Sequence, residues 1–375
     1  MDFNLTEERQ MLQDSLRRFL SDRYDTSARN AILASDAGFS PAIWAGLAEL
    51  GVIGALLPED QGGFGGAGFD IAVVFEELGR AGVVEPVLET ALLGGRLVAA
   101  LGGDPALVRD VIEGRAHLAL AHGEPASRYA LSHVETTARE TGGEIVLEGR
   151  KAVVVNAEAA GHLIVSARES GAAAEAAGIS LFLVPQGAPG LGLSPYPLLA
   201  GGRAAEVTLD AVRLPVSARL GAAGHGFSAL ADGVAAAHVA LAAEALGAME
   251  TAVALTRDYL GTRRQFGRPI GRFQALAHRF ADLLIELEQA RSAVINAAGN
   301  LQRPQPLRDL HLAAARHLVG RVGRQVAEEA IQMHGGIAMT QDYELAHIAK
   351  RIVMTDHRFG DTDHHLERFI ALSAA

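Results

Sequence analysis

Apolar and polar positions follow three rhythms along the chain. From Leu5 to about residue 115 the rhythm is helical: Leu12, Leu16, Phe19 and Leu20 share a face after Thr6, a residue suited to capping that Glu7 and Glu8 follow. Pro58 and the cluster Gly62, Gly63, Gly65 and Gly66 break the chain before another helix at about 71–79. From about 116 to 218, short runs rich in aliphatic or β-branched residues predict strands at 117–121, 144–148, 152–155, 163–166, 180–184 and 206–209. Gly142-Gly143 reads as a hairpin turn, and Pro185, Pro189 and Gly190 end another strand. From about 226 the helical period returns, with Phe273, Leu276, Phe280, Leu283 and Leu287 on one stripe. Pro304 and Pro306 separate that helix from the next, at about 307–333. The pattern predicts an α+β chain in three parts: an N-terminal α-helical domain over 1–115, a middle β domain (barrel or sandwich) over 116–218, and a C-terminal four-helix-like bundle over 219–375.

Composition narrows the function classes. The chain has 375 residues, 49% of them hydrophobic and 21% charged, which is enough apolar material for a large core. Lysine and arginine number 33 against 44 aspartates and glutamates, a formal charge of −11 that argues against nucleic-acid binding. There is no cysteine, which removes disulfides, thiol nucleophiles and cysteine-ligated metal centres and makes the cytoplasm the expected compartment. The N-terminus does not read as a secretory signal. The alanine-rich stretch 229–255 comes nearest to a membrane span, but Asp232, His238, Glu244 and Glu250 interrupt it, so a buried helix is expected and no membrane span. No GxSxG elbow, GxxxxGK[ST] phosphate loop or HExxH zinc motif is present.

Five segments in order carry a resemblance: VVFEELGRA (73–81), LEGRK (147–151), VTLDAVRLP (207–215), RRQFGRPIGRFQAL (263–276) and QMHGGIAMTQDYEL (332–345). Together they span almost the whole chain, which resembles the acyl-CoA dehydrogenases. The resemblance implies an N-terminal helical, middle β and C-terminal bundle fold, FAD as cofactor, and α,β-desaturation of an acyl-CoA thioester. It also implies an electron-transfer acceptor protein and a homo- or hetero-oligomeric assembly, a tetramer in most members. In that chemistry a carboxylate takes the α-proton while the β-hydrogen leaves as hydride to the flavin.

Carried over residue by residue, the resemblance places Arg263 where the family reaches across a subunit interface to a neighbour's FAD, with Phe266 beside the cofactor and Gln274 one helical stripe away. A planar, permanently charged guanidinium suits a pyrophosphate; otherwise these arginines are a solvated helix face. Gln332, Gly335 and Gly336 match the second cross-subunit contact, where glycines admit close backbone approach; alone they read as a helix stop. Ala338 stands where the family commonly has glycine.

Other positions depart from the family. Glu124-Pro125 remains of a Thr-Glu-Pro strand end, but Gly123 replaces the threonine and the Gly-rich stretch after it reads Ala126, Ser127, Arg128, Tyr129. The Trp-Ile-Thr-Asn that covers the flavin reads Val153, Val154, Val155, Asn156. The catalytic glutamate of Tyr-Glu-Gly-Thr falls on Phe359, or on Gly360 with a gap, and the position used by a second subset falls on Ala237. Asp361 is the nearest carboxylate and the candidate base, with Asp363 behind it; a loop aspartate before a helix is otherwise an N-cap. Residues that would serve a neighbour's FAD remain while those for the chain's own flavin are altered. This pattern, with FGDTDHH (359–365), resembles the small-subunit type of heteromeric, pimeloyl-CoA dehydrogenase-like enzymes. A catalytically inactive partner subunit of the same fold is the alternative within the family. From another class, Asp356, His357, Asp361, Asp363, His364 and His365 crowd into ten residues, and a metal-binding helical protein would place His357, Asp361 and His365 on one helix face.

Overall fold

A computed structural model describes residues 5–374. Six helices open the chain: α1 (Glu7–Arg23), α2 (Thr26–Leu33), α3 (Pro41–Glu49), α4 (Gly68–Ala81), α5 (Arg96–Ala100) and α6 (Pro105–Ile112). A buried π-helical segment, Leu88–Gly95, precedes α5. Thr6 caps α1 as expected, its hydroxyl oxygen accepting from the Arg9 N–H at 3.4 Å.

The strands follow: β1 (Leu118–Ala121), β2 (Thr137–Thr141), β3 (Glu144–Val155), β4 (His162–Arg168), β5 (Ile179–Pro185), β6 (Leu191–Pro197), β7 (Arg203–Pro215) and β8 (Arg219–Leu220). They form one eight-stranded sheet ordered β6-β7-β3-β2-β4-β5-β8, with β1 parallel to β4. Gly142 (φ +63°) and Gly143 (φ +82°) make the two-residue turn between β2 and β3, a conformation that glycine adopts without strain. The two runs expected at 144–148 and 152–155 are a single strand, β3, whose pairing with β7 slips between Leu147 and Gly149 and again between Lys151 and Val154. Three strands of this sheet escaped the sequence pattern: β2, β6 and the two-residue β8. β2 (TARET) is polar and largely exposed, and β6 (LGLSPYP) carries two prolines, tolerated because β6 is an edge that pairs with β7 alone.

The C-terminal part holds α7 (Phe227–Thr262), a short hairpin of β9 (Arg264–Gln265) and β10 (Arg268–Pro269), α8 (Gln274–Asn300), α9 (Gln305–His334), α10 (Glu344–Asp356) and α11 (Thr362–Ser373). An apolar window of α7 is long enough to cross a membrane by length and composition, yet 78% of that window is buried inside the protein, as its interrupting polar residues lead one to expect.

The chain divides into two compact units. One comprises Ile32–Gly66 and Val84–Ala237 and contains the sheet; its core includes Ile145, Leu147, Leu163, Val165, Phe182, Val207 and Leu214, each nearly or wholly out of water. The other comprises Met1–Ala31, Ala67–Val83 and His238–Ala375. Helices of the N-terminal 115 residues thus contribute to both units, and α1 and α4 pack within the second one. There α4 and α7 approach backbone to backbone, because a Cβ at Gly79 or Gly247 would overlap the main chain of Glu244 or Glu76. A charge network spans that contact. Arg80 reaches Glu76 (3.0 Å), Glu77 (3.4 Å) and Glu250, Arg291 also reaches Glu250, and Arg17 holds Glu77 at 2.6 Å.

Candidate functional site

The Arg263 segment lies beyond the end of α7 rather than on a helix face. Its hairpin turns at Phe266 (φ +52°) and Gly267 (φ +77°), the two successive left-handed residues that a tight two-residue turn demands. The Ile270 N–H donates to the Arg263 carbonyl at 2.8 Å and closes the loop, while the Arg268 guanidinium sits 4.2 Å from the Phe273 ring centre. Phe266 is left 91% exposed at the tip. The Arg263 side chain is exposed and makes no hydrogen bond or ion pair among the described residues. Gln274 begins α8, also exposed.

Gln332 occupies the last turn of α9, facing solvent. Gly335 ends that helix with φ +71°, and nothing lies within 4 Å of a Cβ built on Gly335 or Gly336. The turn therefore offers bare, open backbone. Ala338, buried in the following 3-10 turn, faces inward. Behind this edge His334 is buried, with Nδ1 at 2.8 Å from the Ala330 carbonyl and Nε2 at 3.1 Å from the Tyr343 hydroxyl, its ring stacked on Tyr259.

The strand-side positions sit in the other unit. Lys151 is fully buried and donates to the Glu124 carboxylate (2.6 Å), the Ser166 hydroxyl (3.0 Å) and the His122 carbonyl (3.3 Å). Burial pushes the Lys151 ammonium down to about 8 against the pull of Glu124. Burial alone would raise the Glu124 carboxyl, but Lys151 and the Thr136 and Glu135 N–H groups hold it below the usual range. Beyond this anchor the loop is bulky: Ser127 exchanges hydrogen bonds with the Glu124 backbone, Arg128 is exposed at φ +45°, and its guanidinium lies 5.5 Å from the Tyr129 ring centre. Val153 is 55% exposed on the second slip of β3, at φ +52°, which is rare for a β-branched residue. No hydroxyl occupies Val153, Val154 or Val155.

The base positions lie between α10 and α11. Phe359 (φ +56°) and Gly360 (φ +130°) form the turn, and a Cβ on Gly360 would come within 2.6 Å of His365 Nε2 and of His364 Cδ2. A side chain at 360 would therefore have to displace the His364 and His365 rings. Asp361 is the N-cap of α11, its Oδ1 accepting from the His364 N–H at 2.9 Å. Asp363 is exposed. Because α10 ends at Asp356 and α11 starts at Thr362, His357, Asp361 and His365 do not share one helix face, contrary to the spacing that suggested a metal helix. Among the described residues no group of three or more histidine or acidic side chains is arranged to hold a metal.

Sequence reasoning missed the His238–His365 contact, edge to face at 4.9 Å, because the two residues lie on α7 and α11. Only the HH pair of FGDTDHH hinted at it. Both His365 ring nitrogens and His238 Nδ1 are buried without a hydrogen-bond partner. Burial, then the partner imidazole, Arg316, His364 and Arg368, push His365 far below the usual histidine range, so it is a neutral ring and a poor proton acceptor.

The residues present fit FAD on one edge only. A guanidinium without a partner, an exposed aromatic and two amides suit a diphosphate and its attached rings, and open glycine backbone permits close approach. The strand-side loop carries Arg128, Tyr129 and valines at the positions where the resemblance leads one to expect small residues and a hydroxyl.

Comparison with known proteins agrees with the fold. Models described as acyl-CoA dehydrogenase N-terminal, middle and C-terminal domains match residues 6–104, 119–212 and 224–371. "Acyl-CoA dehydrogenase IpdE2" of Mycobacterium tuberculosis (strain ATCC 25618 / H37Rv) is 32% identical over 346 residues, covering 92% of this chain and 91% of that protein. Among solved structures, a variant of the Tcur3481–Tcur3483 steroid ACAD superposes with a TM-score of 0.86 at 30% identity over 98% of both chains. Butyryl-CoA dehydrogenase from Megasphaera elsdenii does so with 0.89 at 25% identity over all of both chains.

Proposed function

Because the chain belongs to the acyl-CoA dehydrogenase family, FAD-dependent oxidoreductases acting on CH–CH bonds, we propose that it is the subunit that completes the FAD site of a second acyl-CoA dehydrogenase chain, as in the small-subunit, pimeloyl-CoA dehydrogenase-like type. The assembly, a tetramer of the two chains, α,β-desaturates an acyl-CoA thioester and passes its electrons to an acceptor protein. The observation that carries this reading is the partnerless Arg263 guanidinium beside the exposed Phe266, set against a strand-side loop filled by Arg128 and Tyr129.

When bound, FAD supplies the hydride-accepting ring. This chain's part is binding. Arg263 would pair with the diphosphate in a planar, two-pronged contact, Gln332 and Gln274 would donate amide hydrogens, Phe266 would shield the cofactor from water, and Gly335 and Gly336 would let the backbone close on it. The α-proton needs a base, and here Phe359 and Gly360 offer no carboxylate while Asp361 spends Oδ1 on its helix cap. The second chain then supplies the carboxylate. The name of the Tcur3481–Tcur3483 relative, which joins two chains, supports a heteromeric reading.

Co-expression with an acyl-CoA dehydrogenase chain that keeps its glutamate tests this. Arg263→Gln is expected to weaken FAD retention by the complex at least tenfold, read by flavin fluorescence on dialysis. Unchanged retention would overturn the assignment.

A further inference from the structure

The two segments assigned to the cofactor, the Arg263 hairpin and the Gly335–Gly336 turn, belong to different helices and must keep a fixed spacing to meet one FAD. Three aromatic rings join them. Tyr259, four residues before Arg263, accepts the Arg263 N–H on its own carbonyl at 2.8 Å, and its ring stacks on His334 at 4.5 Å with planes 25° apart. His334 directly precedes Gly335. Since the Ala330 carbonyl can only accept, His334 Nδ1 carries the proton, and the lone pair of Nε2 is left to accept from the Tyr343 hydroxyl. Tyr343 is the N-cap residue of α10, so a third segment is tied in. Burial keeps the imidazole neutral, and in this tautomer both nitrogens are satisfied and the ring is held from rotating.

We propose that Tyr259, His334 and Tyr343 are positioning residues that set the Arg263 hairpin and the Gly335–Gly336 turn at the spacing that one diphosphate-bearing cofactor requires. The inference rests on the assignment of those two segments to FAD. None of the three rings touches the reacting atoms; they act through Arg263 and the glycine turn. The stack specifies shape, so a phenyl ring serves at 259, whereas at 343 the hydroxyl is essential.

The test uses the co-expressed complex and reads the FAD dissociation constant by flavin fluorescence, together with kcat per bound FAD. Tyr259→Leu and Tyr343→Phe are expected to raise the dissociation constant about tenfold while kcat per bound FAD stays within twofold of wild type; Tyr259→Phe should bind FAD as wild type does. Tyr259→Phe and Tyr343→Phe keep the ring volume and guard against simple misfolding. The proposal is overturned if Tyr259→Leu retains FAD normally while Arg263→Gln loses it, or if Tyr259→Phe weakens binding as much as Tyr259→Leu. If Arg263→Gln also retains FAD, it is the cofactor assignment beneath the proposal that fails.

Discussion

At the scale of single residues, Gly360 is one of the two positions, with Phe359, onto which the family's catalytic glutamate would fall. Its φ of +130° and the 2.6 Å approach of His365 Nε2 to a built Cβ mean that even a methyl group there must displace an imidazole packed in the bundle. Gly360→Ala is therefore expected to lower the unfolding free energy by about 2 kcal/mol or more. Gly360→Ala combined with His365→Ala should recover part of that loss, because the two positions share one volume. Strict additivity in urea unfolding would contradict this. Asp361 makes the opposite case. Its carboxylate caps α11, so Asp361→Ala should cost about 1 kcal/mol of stability. If instead stability stays put and turnover by this chain alone collapses, Asp361 is the base after all. The sequence raised both roles for Asp361; the hydrogen bond to the His364 N–H supports the cap.

At the scale of elements, α1, α4, α7 and α8 meet around three glutamates and three arginines, and this contact carries a pH dependence. Burial, then the neighbouring Glu250, raises Glu76 from its ordinary 4.5 to about 7, against the pull of Arg80 and Arg291. As pH rises from about 4.5 to 7 the unfolded chain releases the Glu76 proton first, so this group's contribution is present below 4.5 and lost as pH passes 7. The loss should amount to about 3 kcal/mol. Thermal unfolding of wild type and Glu76→Gln compared at pH 5 and pH 8 checks it: the variant should gain relative to wild type at pH 8, and a relative loss there would contradict the sign. Elements were legible where one face is apolar. Helices α1, α4, α7, α8 and α9, strands β4 and β5 and the Gly142–Gly143 turn follow from periodicity and turn chemistry. β2 and β6 did not, because a polar or proline-bearing strand gains its place from its pairing partners and not from its own pattern. The slips in β3 and the placement of Arg263 in a hairpin off the helix likewise depend on contacts distant in sequence.

At the scale of the whole molecule, the family, the α+β architecture and the FAD dependence were readable from five ordered segments, and the matched domains agree with them. The sequence could not reveal that a side chain at 360 would meet the His364 and His365 rings, that His238 meets His365, or that three rings link the Arg263 hairpin to the Gly335–Gly336 turn. The last two join helices far apart along the chain. The central claim is an asymmetry: an intact edge for a neighbour's FAD and an altered cradle for the chain's own. The most direct test is the visible spectrum and FAD-to-chain ratio of the protein purified alone and with a co-expressed acyl-CoA dehydrogenase chain. The account predicts colourless protein alone and about one FAD per two chains in the complex, in keeping with one shared site per pair. One FAD per chain in the protein alone, bleached by an acyl-CoA, would contradict it.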